Sequence, residues 1–476
     1  MVNRVVILGG GVGGLAAGWM LARTGRFHVV VCEREAEVGG MCRTLTRGDF
    51  AYDLGPHKCY SVIPGILDEL TALMGEELLT HRKRNRIYLF DRFLRYPVRF
   101  AELARHMGAA NILRCAADVG PVLWKQLTNG RHADASYADY VRRRFGPHLY
   151  RLVFEPLAEK TWGSPETLSA AIAQTRIPSQ GIGELIAKVL RVRRETAASD
   201  AESFYYPARG FGRIPERMRE EIERHGGRVS TRTQPTAIRV TGRRMTAVEV
   251  VSGGETRTLD ADIVVSTLPF DTVLGLVQDP DGARERAAML ALARRLEYRG
   301  VILAYLVASA ERLTEDHWLF FPGRDVIFGR CFEQRNMSEQ MVPRGKTVVC
   351  CDLTAAEGDA RWRMTDAEML ARCRADLERV GLLRGAPVLE GFVLRAPKFY
   401  PRYGLEYRET TGALYAACKR YENFCATGRI GLYNYNNSDH CVDMGKFLAE
   451  ELCADTAMPA IWDRLEERVA AYRIVD

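Results

Sequence analysis

The chain has 476 residues, 47% of them hydrophobic and 27% charged, which suits a globular protein of two or three domains with substantial cores. Its net charge of +7 comes from 67 Lys and Arg dispersed among 60 Asp and Glu. That excess is too small and too mixed for a nucleic-acid footprint, and it fits an anionic small substrate. The twelve cysteines lie far apart without a Cys-x-x-Cys pair, which excludes zinc spacing and a disulfide framework and leaves free thiols in a reducing cytosol. No apolar run approaches the ~20 residues of a membrane span, so a cytoplasmic protein without a metal site is expected.

In chain order, residues 5–8 form a short β-branched run that ends in five glycines between Gly9 and Gly14. Those glycines, and the lack of a small-residue cleavage site, argue against a signal peptide. An amphipathic helical pattern from Leu15 to Arg23 follows, then a strand-like run from His28 to Cys32 closing on Glu33. Residues 61–200 read as strongly helical, with Arg142, Arg143 and Arg144 on a solvated face and a polar excursion at 191–203. Short alternating strands return over 227–269. Residues 298–355 hold apolar strands, including 301–307 and 348–353, whose period places Cys350 and Cys351 on opposite faces. A last strand and glycine turn at 424–431 precede a closing helix near 444–453.

The first thirty residues therefore make a complete βαβ unit. In Gly9-x-Gly11-x-x-Gly14, with Val12 and Gly13 between, the first glycine permits the tight turn and the second lets backbone approach a pyrophosphate. The third lets helix pack on strand, and the helix N-terminus favours the diphosphate charge. Glu33 lies nineteen residues past Gly14, where a carboxylate accepts from ribose hydroxyls. After Arg34, the segment Glu37-Val38-Gly39-Gly40-Met41-Cys42-Arg43 resembles the flavin signature of the amine oxidase and glutathione reductase-like superfamily. The resemblance implies FAD, with Gly39 and Gly40 against the diphosphate or the ring and Arg43 near the phosphates. Residues 261–269 are similar to the return strand of the same families.

Later segments resemble the UDP-galactopyranose mutases. Tyr52-Asp53-Leu54-Gly55-Pro56-His57 is similar to the mutase loop YGPH, and Phe145 to Gly163, with Phe154, Lys160 and Trp162, to the pattern ending in K.WG. Val326-x-x-x-Arg330, Phe399-Tyr400-Pro401 and Gly428-Arg429 to Tyr435 match further landmarks in the same order. The resemblance implies that Arg330 and Arg176 clamp a substrate diphosphate and that Phe154 and Trp162 line a nucleotide pocket. It places Tyr400 at the phosphates, His57 and Arg429 against the flavin, and Tyr435 facing substrate. His57, Arg330, Arg429, Tyr400 and Tyr435 are then the catalytic candidates. Gly55, Pro56, Gly428, Asn437 and Met444 join Met41, Cys42 and the glycine loops as flavin contacts. His440 reads equally as catalytic or as a helix cap. Departures fall on substrate contacts: Leu157 stands where mutases have Tyr, Asn434 where they have Arg, and the run Asn436 to His440 is unlike theirs.

The expected architecture is α/β: a discontinuous Rossmann-type FAD-binding domain (1–60, 206–275 and 396–476), a helical insertion (61–205) and an antiparallel-sheet substrate domain (276–395). The expected activity is a pyranose/furanose mutase acting on a nucleoside-diphosphate sugar or related anionic small molecule, with reduced flavin N5 as nucleophile. The alternative is an FAD-dependent oxidoreductase of the protoporphyrinogen oxidase, desaturase or amine oxidase kind, taking a hydride from a small substrate. A homodimer is compatible with either.

Overall fold

A computed structural model of the chain describes residues 3–98, 100–128, 134–177 and 203–474. Strand β1 (Asn3–Leu8), helix α1 (Val12–Ala22) and strand β2 (Phe27–Cys32) build the expected N-terminal unit. β1 is the centre of a five-stranded parallel sheet. Ile263–Ser266 and Phe424–Ala426 lie on one side of it, and β2 and Arg228–Ser230 on the other. Both faces of this sheet are covered, which is why its strands are continuous Val and Ile runs rather than alternating ones.

α1 is buried along its whole length, between the sheet and the helices Arg213–Arg224 and Ser438–Cys453. Small residues permit this. A Cβ on Gly445 would meet the Ala16 carbonyl carbon at 2.7 Å, and one on Gly18 would meet Ile222 at 2.9 Å. The second sheet, of four strands, is built around the hairpin Thr233–Thr241 and Arg244–Ser252. The third, of seven strands, has the order Val388–Arg402, Glu297–Ala308, Thr347–Ala355, Arg330–Glu333, Trp318–Phe320, Asn85–Leu89 and Arg92–Arg95. Cys350 and Cys351 do lie on opposite faces, one in each of two hydrophobic clusters, and all twelve cysteines are free thiols.

Three features differ from the sequence reading. The segment expected to be helical contains strands Leu78–Arg82, Asn85–Leu89 and Arg92–Arg95, two of which join the seven-stranded sheet. Leu78–Arg82 pairs with Ser203–Pro207 and Asn85–Leu89 with Trp318–Phe320, partners far away in sequence, while the Arg-rich composition hides the local hairpin of Asn85–Leu89 and Arg92–Arg95. Strand Val388–Arg402 runs through residue 395, so a boundary there would cut one strand. A further helix, Met458–Ala471, seats the buried Trp462 against Phe424, whose carbonyl accepts from Nε1 at 2.8 Å. The polar excursion at 191–203 lies outside the described residues except for Ser203, which opens a strand. Arg142, Arg143 and Arg144 pair with Glu166 and Asp134. No described helix is long and apolar enough to cross a membrane.

Candidate functional site

The glycine cradle follows from close approaches that no side chain could share. A Cβ on Gly14 would lie 2.0 Å from the Gly9 carbonyl oxygen, and one on Gly13 2.9 Å from Cα of Gly428. Gly39, at φ +103°, donates its N–H to the Gly10 carbonyl at 2.8 Å and brings the second glycine pair against the first. Gly11 is different: nothing lies within 4 Å of where its Cβ would be. It is the N-cap of α1, which has no side-chain cap and no acid in its first turn, so the first N–H groups of the helix are left to an external acceptor.

Beside this cradle the Arg43 Nε is buried with no hydrogen-bond partner among the described residues. An anion-ready helix end, an open glycine and an orphaned guanidinium nitrogen together fit the diphosphate of FAD.

The cradle opens into a cavity of about 950 Å³, large by the ~300–1,000 Å³ standard of ligand sites. Gly11, Val12, Gly13, Gly39, Gly40, Met41 and Cys42 line it, as do Gly55, Pro56, His57, Gly428, Arg429 and Asn437. Gly9 and Gly14 shape the turn from behind. Glu33 is fixed at the end of β2, with Oε2 accepting from Gly10 N and Oε1 from Glu35 N, both at 2.8 Å. Arg34 turns outward to Glu35. Met444 is a correction: it is fully buried in the core and does not line the cavity, because it faces inward on the helix Ser438–Cys453.

His57 is stacked on Phe211 with ring centroids 4.8 Å apart, and its Nε2 sits 3.0 Å from the Met41 carbonyl and 3.2 Å from that of Leu54. Two carbonyl acceptors place the proton on Nε2. Burial lowers its pKa to about 4, so the ring is neutral at pH 7 and ties the Gly39–Cys42 loop to the Gly55 turn. That geometry gives His57 a positioning role on the cavity wall. His440 has helix-cap geometry, its Nδ1 accepting from the Asn437 N–H at 3.1 Å, and it also lines the cavity.

The substrate candidates Phe154, Trp162, Arg176, Arg330, Tyr400 and Tyr435 all line the same cavity, drawn from four distant segments. Phe154 ends a wide π turn, Tyr150–Phe154, that enters the helix Glu155–Trp162. The end of that helix is fastened to the third sheet. The Thr354 hydroxyl donates to the carbonyls of Lys160 and Thr161 at 2.7 and 2.8 Å, and Arg402 Nε donates to that of Trp162 at 2.9 Å. Lys160 points away from the cavity, donating its ammonium to the carbonyls of Phe321, Gly323 and Phe328.

Arg176 donates to the Tyr435 hydroxyl at 2.6 Å and lies over the rings of Trp162 and Tyr435. Tyr435 in turn stacks on Tyr400 at 5.1 Å, and Arg429 lies over both. Tyr433, at φ +47°, turns the chain so that Tyr435 faces this cluster.

Arg330 is placed otherwise. Its Nε and a terminal nitrogen both reach Asp352 Oδ2, at 2.8 and 2.6 Å, so its charge is matched by a buried carboxylate. The sequence reading missed Asp352, although it is the only charge in an otherwise apolar strand run. It also missed Lys58, directly after His57, whose ammonium lies 3.6 Å over Trp318 and 3.1 Å from Asn85 Oδ1.

Among the described residues seven Lys and Arg side chains line the cavity, against the two carboxylates Asp352 and Asp439. Opposite the flavin side the wall is apolar, with Ile87, Leu89, Val153, Leu157 and Phe204. No group of acids, His and Cys suited to a metal occurs among the described residues.

Residues 12–389 match the family of flavin containing amine oxidoreductases. Among curated proteins, 4,4'-diapophytoene desaturase of Methylomonas sp is 38% identical over 71 residues, 15% of this chain and 13% of that protein. Protoporphyrinogen oxidase 2, chloroplastic/mitochondrial, of Arabidopsis thaliana is 25% identical over 174 residues, 35% of this chain and 34% of that one. The chain thus spans about a third or less of the length of these two relatives. Among solved structures, a reduced UDP-galactopyranose mutase superposes with a TM-score of 0.84 over 99% of this chain and 98% of that one, at 18% identity. That likeness is one of fold.

Proposed function

The chain belongs to the flavin containing amine oxidoreductase family and is a flavin-dependent enzyme, and from that premise we propose that it acts on a sugar carrying a diphosphate, interconverting its ring forms without net oxidation. The observation that carries the proposal is the cluster of Arg176, Arg429, Tyr400 and Tyr435 on the cavity wall. A stacked pair of tyrosines holds two guanidinium groups where a diphosphate can be received, and guanidinium binds phosphate oxygens in a fixed fork.

FAD bound in the cradle supplies, when reduced, an electron-rich nucleophile for the anomeric carbon. The chain's own residues do the rest. Arg176 neutralises charge on the departing diphosphate, and the Tyr400 and Tyr435 hydroxyls hold its oxygens. Trp162 lies flat under Arg176 and keeps water from that side. Arg330, balanced by Asp352, orients the sugar and does not add net charge to the clamp. The cavity walls hold the leaving group beside the sugar for the return step.

A second reading rests on the apolar wall at Ile87, Leu89, Val153, Leu157 and Phe204. A largely hydrocarbon substrate would fit there and give up a hydride instead. A panel of nucleotide sugars, incubated with the holoenzyme with and without dithionite, separates the two. Ring-isomerised product that forms only under reduction supports the mutase. Flavin bleaching by a substrate in air-free buffer, with no isomerisation of any sugar in the panel, would sink it.

A further inference from the structure

The helix Ala109–Thr128 carries apolar side chains on both sides, with Val122 buried and Cys115 packed against the core while others face outward. Its inward side carries Asn111, which donates to the Met107 carbonyl, and Asp118, which accepts the His148 N–H at 2.7 Å. The opposite side presents Leu113, Ala117, Gly120 and Trp124, spaced four, three and four apart, as one stripe. Leu113 is 70% and Trp124 69% exposed, with Ile112 and Leu123 exposed at their flanks. Large apolar side chains exposed in a row mark an interaction surface.

The charges around the stripe say what kind. Arg92, Arg95, Arg105 and Arg114 are exposed, and none forms an ion pair among the described residues. The nearby acids are engaged: Asp118 inward, Glu102 with the Arg95 backbone N–H and Asp91 with the Tyr88 hydroxyl. An apolar helix face bearing Leu and Trp, bordered by unpaired arginines, is the make-up of a helix that lies in an anionic lipid surface. A second copy of the chain is a poorer occupant, because two-fold pairing would bring the same arginines together.

The segment leading into this helix also connects the face to the cavity. Tyr96, Pro97, Val98 and Leu103 line the cavity wall immediately before Ala109. We infer that the face formed by Ala109–Thr128, with its flanking arginines, docks the protein peripherally on an anionic phospholipid surface, with one side of the cavity turned toward that surface.

Flotation of the holoenzyme with vesicles of phosphatidylglycerol and phosphatidylcholine in equal parts, or of phosphatidylcholine alone, tests this. The wild type should float with the anionic vesicles at low salt and stay behind with the neutral ones or in 0.5 M salt. Leu113→Glu with Trp124→Glu should abolish flotation. Arg105→Glu with Arg114→Glu should weaken it roughly tenfold or more, at about 1 kcal/mol per charge removed near the surface. FAD absorbance of each variant, read beside the wild type, shows that the fold is kept, and the arginine pair keeps the test valid should the glutamate pair unfold. Wild type that floats with neither vesicle overturns the inference, as does flotation that both variants leave unchanged. A dimer that Leu113→Glu with Trp124→Glu dissolves, without any flotation, also overturns it and assigns the face to a second copy.

Discussion

Burial disfavours the charged form of the His57 imidazole and pushes its pKa down to about 4. Between pH 6.5 and 4 the unfolded chain binds a proton that the folded ring excludes, so stability is lost as pH falls through that window. His57→Gln keeps an N–H in the Nε2 position without titrating. It should hold FAD and lose less of its unfolding temperature than wild type between pH 6.5 and 4.5; parallel curves would refute the assignment. Arg330 poses a different question. Truncating it leaves Asp352 buried without its cation, which costs on the order of 3–5 kcal/mol. Arg330→Ala should therefore lower the unfolding temperature as well as activity, and Arg330→Met with Asp352→Leu should recover the stability but not the activity. Recovery of neither would show that the pair holds more than itself. The matching of Arg330 by Asp352 was not legible from spacing, since the two are 22 residues apart and meet only across adjacent strands.

β1, α1 and β2 were legible because every part of that unit is specified locally: β-branched runs, glycines at the turn and an acid at the end. The glycines themselves divide into two kinds. Gly14→Ala drives a methyl into the Gly9 carbonyl and should prevent the cradle from forming. Gly11→Ala meets no protein atom, so the apoprotein should unfold at the wild-type temperature while FAD affinity falls at least tenfold, as read by flavin fluorescence quenching. An unchanged affinity would remove the diphosphate from beside Gly11. Lys160 shows why the helical region was read only in part. Its motif pointed to the site, yet the ammonium is buried against three carbonyls and lowered by desolvation to about 7. Lys160→Met should leave those carbonyls unpaired at about 1–3 kcal/mol each. It should loosen the stretch carrying Phe328 and Arg330, raising KM more than it lowers kcat. A kcat loss at constant KM would instead put Lys160 in the chemistry.

At the scale of the whole molecule, the cavity is an assembled property: its walls come from the parallel sheet, the seven-stranded sheet and the helical segment together. Order along the chain pointed to Phe154, Trp162, Arg176, Arg330, Tyr400, Arg429 and Tyr435, but it passed over the lining cations Lys58, Lys83, Lys398 and Arg473 and over strand Asn85–Leu89, whose Ile87 and Leu89 stand on the apolar side. Because the walls belong to different segments, a molecule that bridges them should stabilise the fold by mass action, by about 2.7 kcal/mol at a hundred times its Kd. The surplus of lining cations makes that linkage selective for anions. Uridine diphosphate added to the holoenzyme should therefore raise its unfolding temperature progressively with concentration, and uridine should raise it far less. Arg176→Ala should remove most of the diphosphate shift while leaving the FAD-dependent shift intact, because Arg176 stands on the Trp162 and Tyr435 side of the cavity and not at the glycine cradle. Moderate salt should weaken the diphosphate shift without abolishing it, since the site is only partly screened from solvent. Equal shifts from uridine and its diphosphate, or a diphosphate shift that survives Arg176→Ala undiminished, would remove the clamp and with it the proposed substrate class, leaving the flavin cradle untouched.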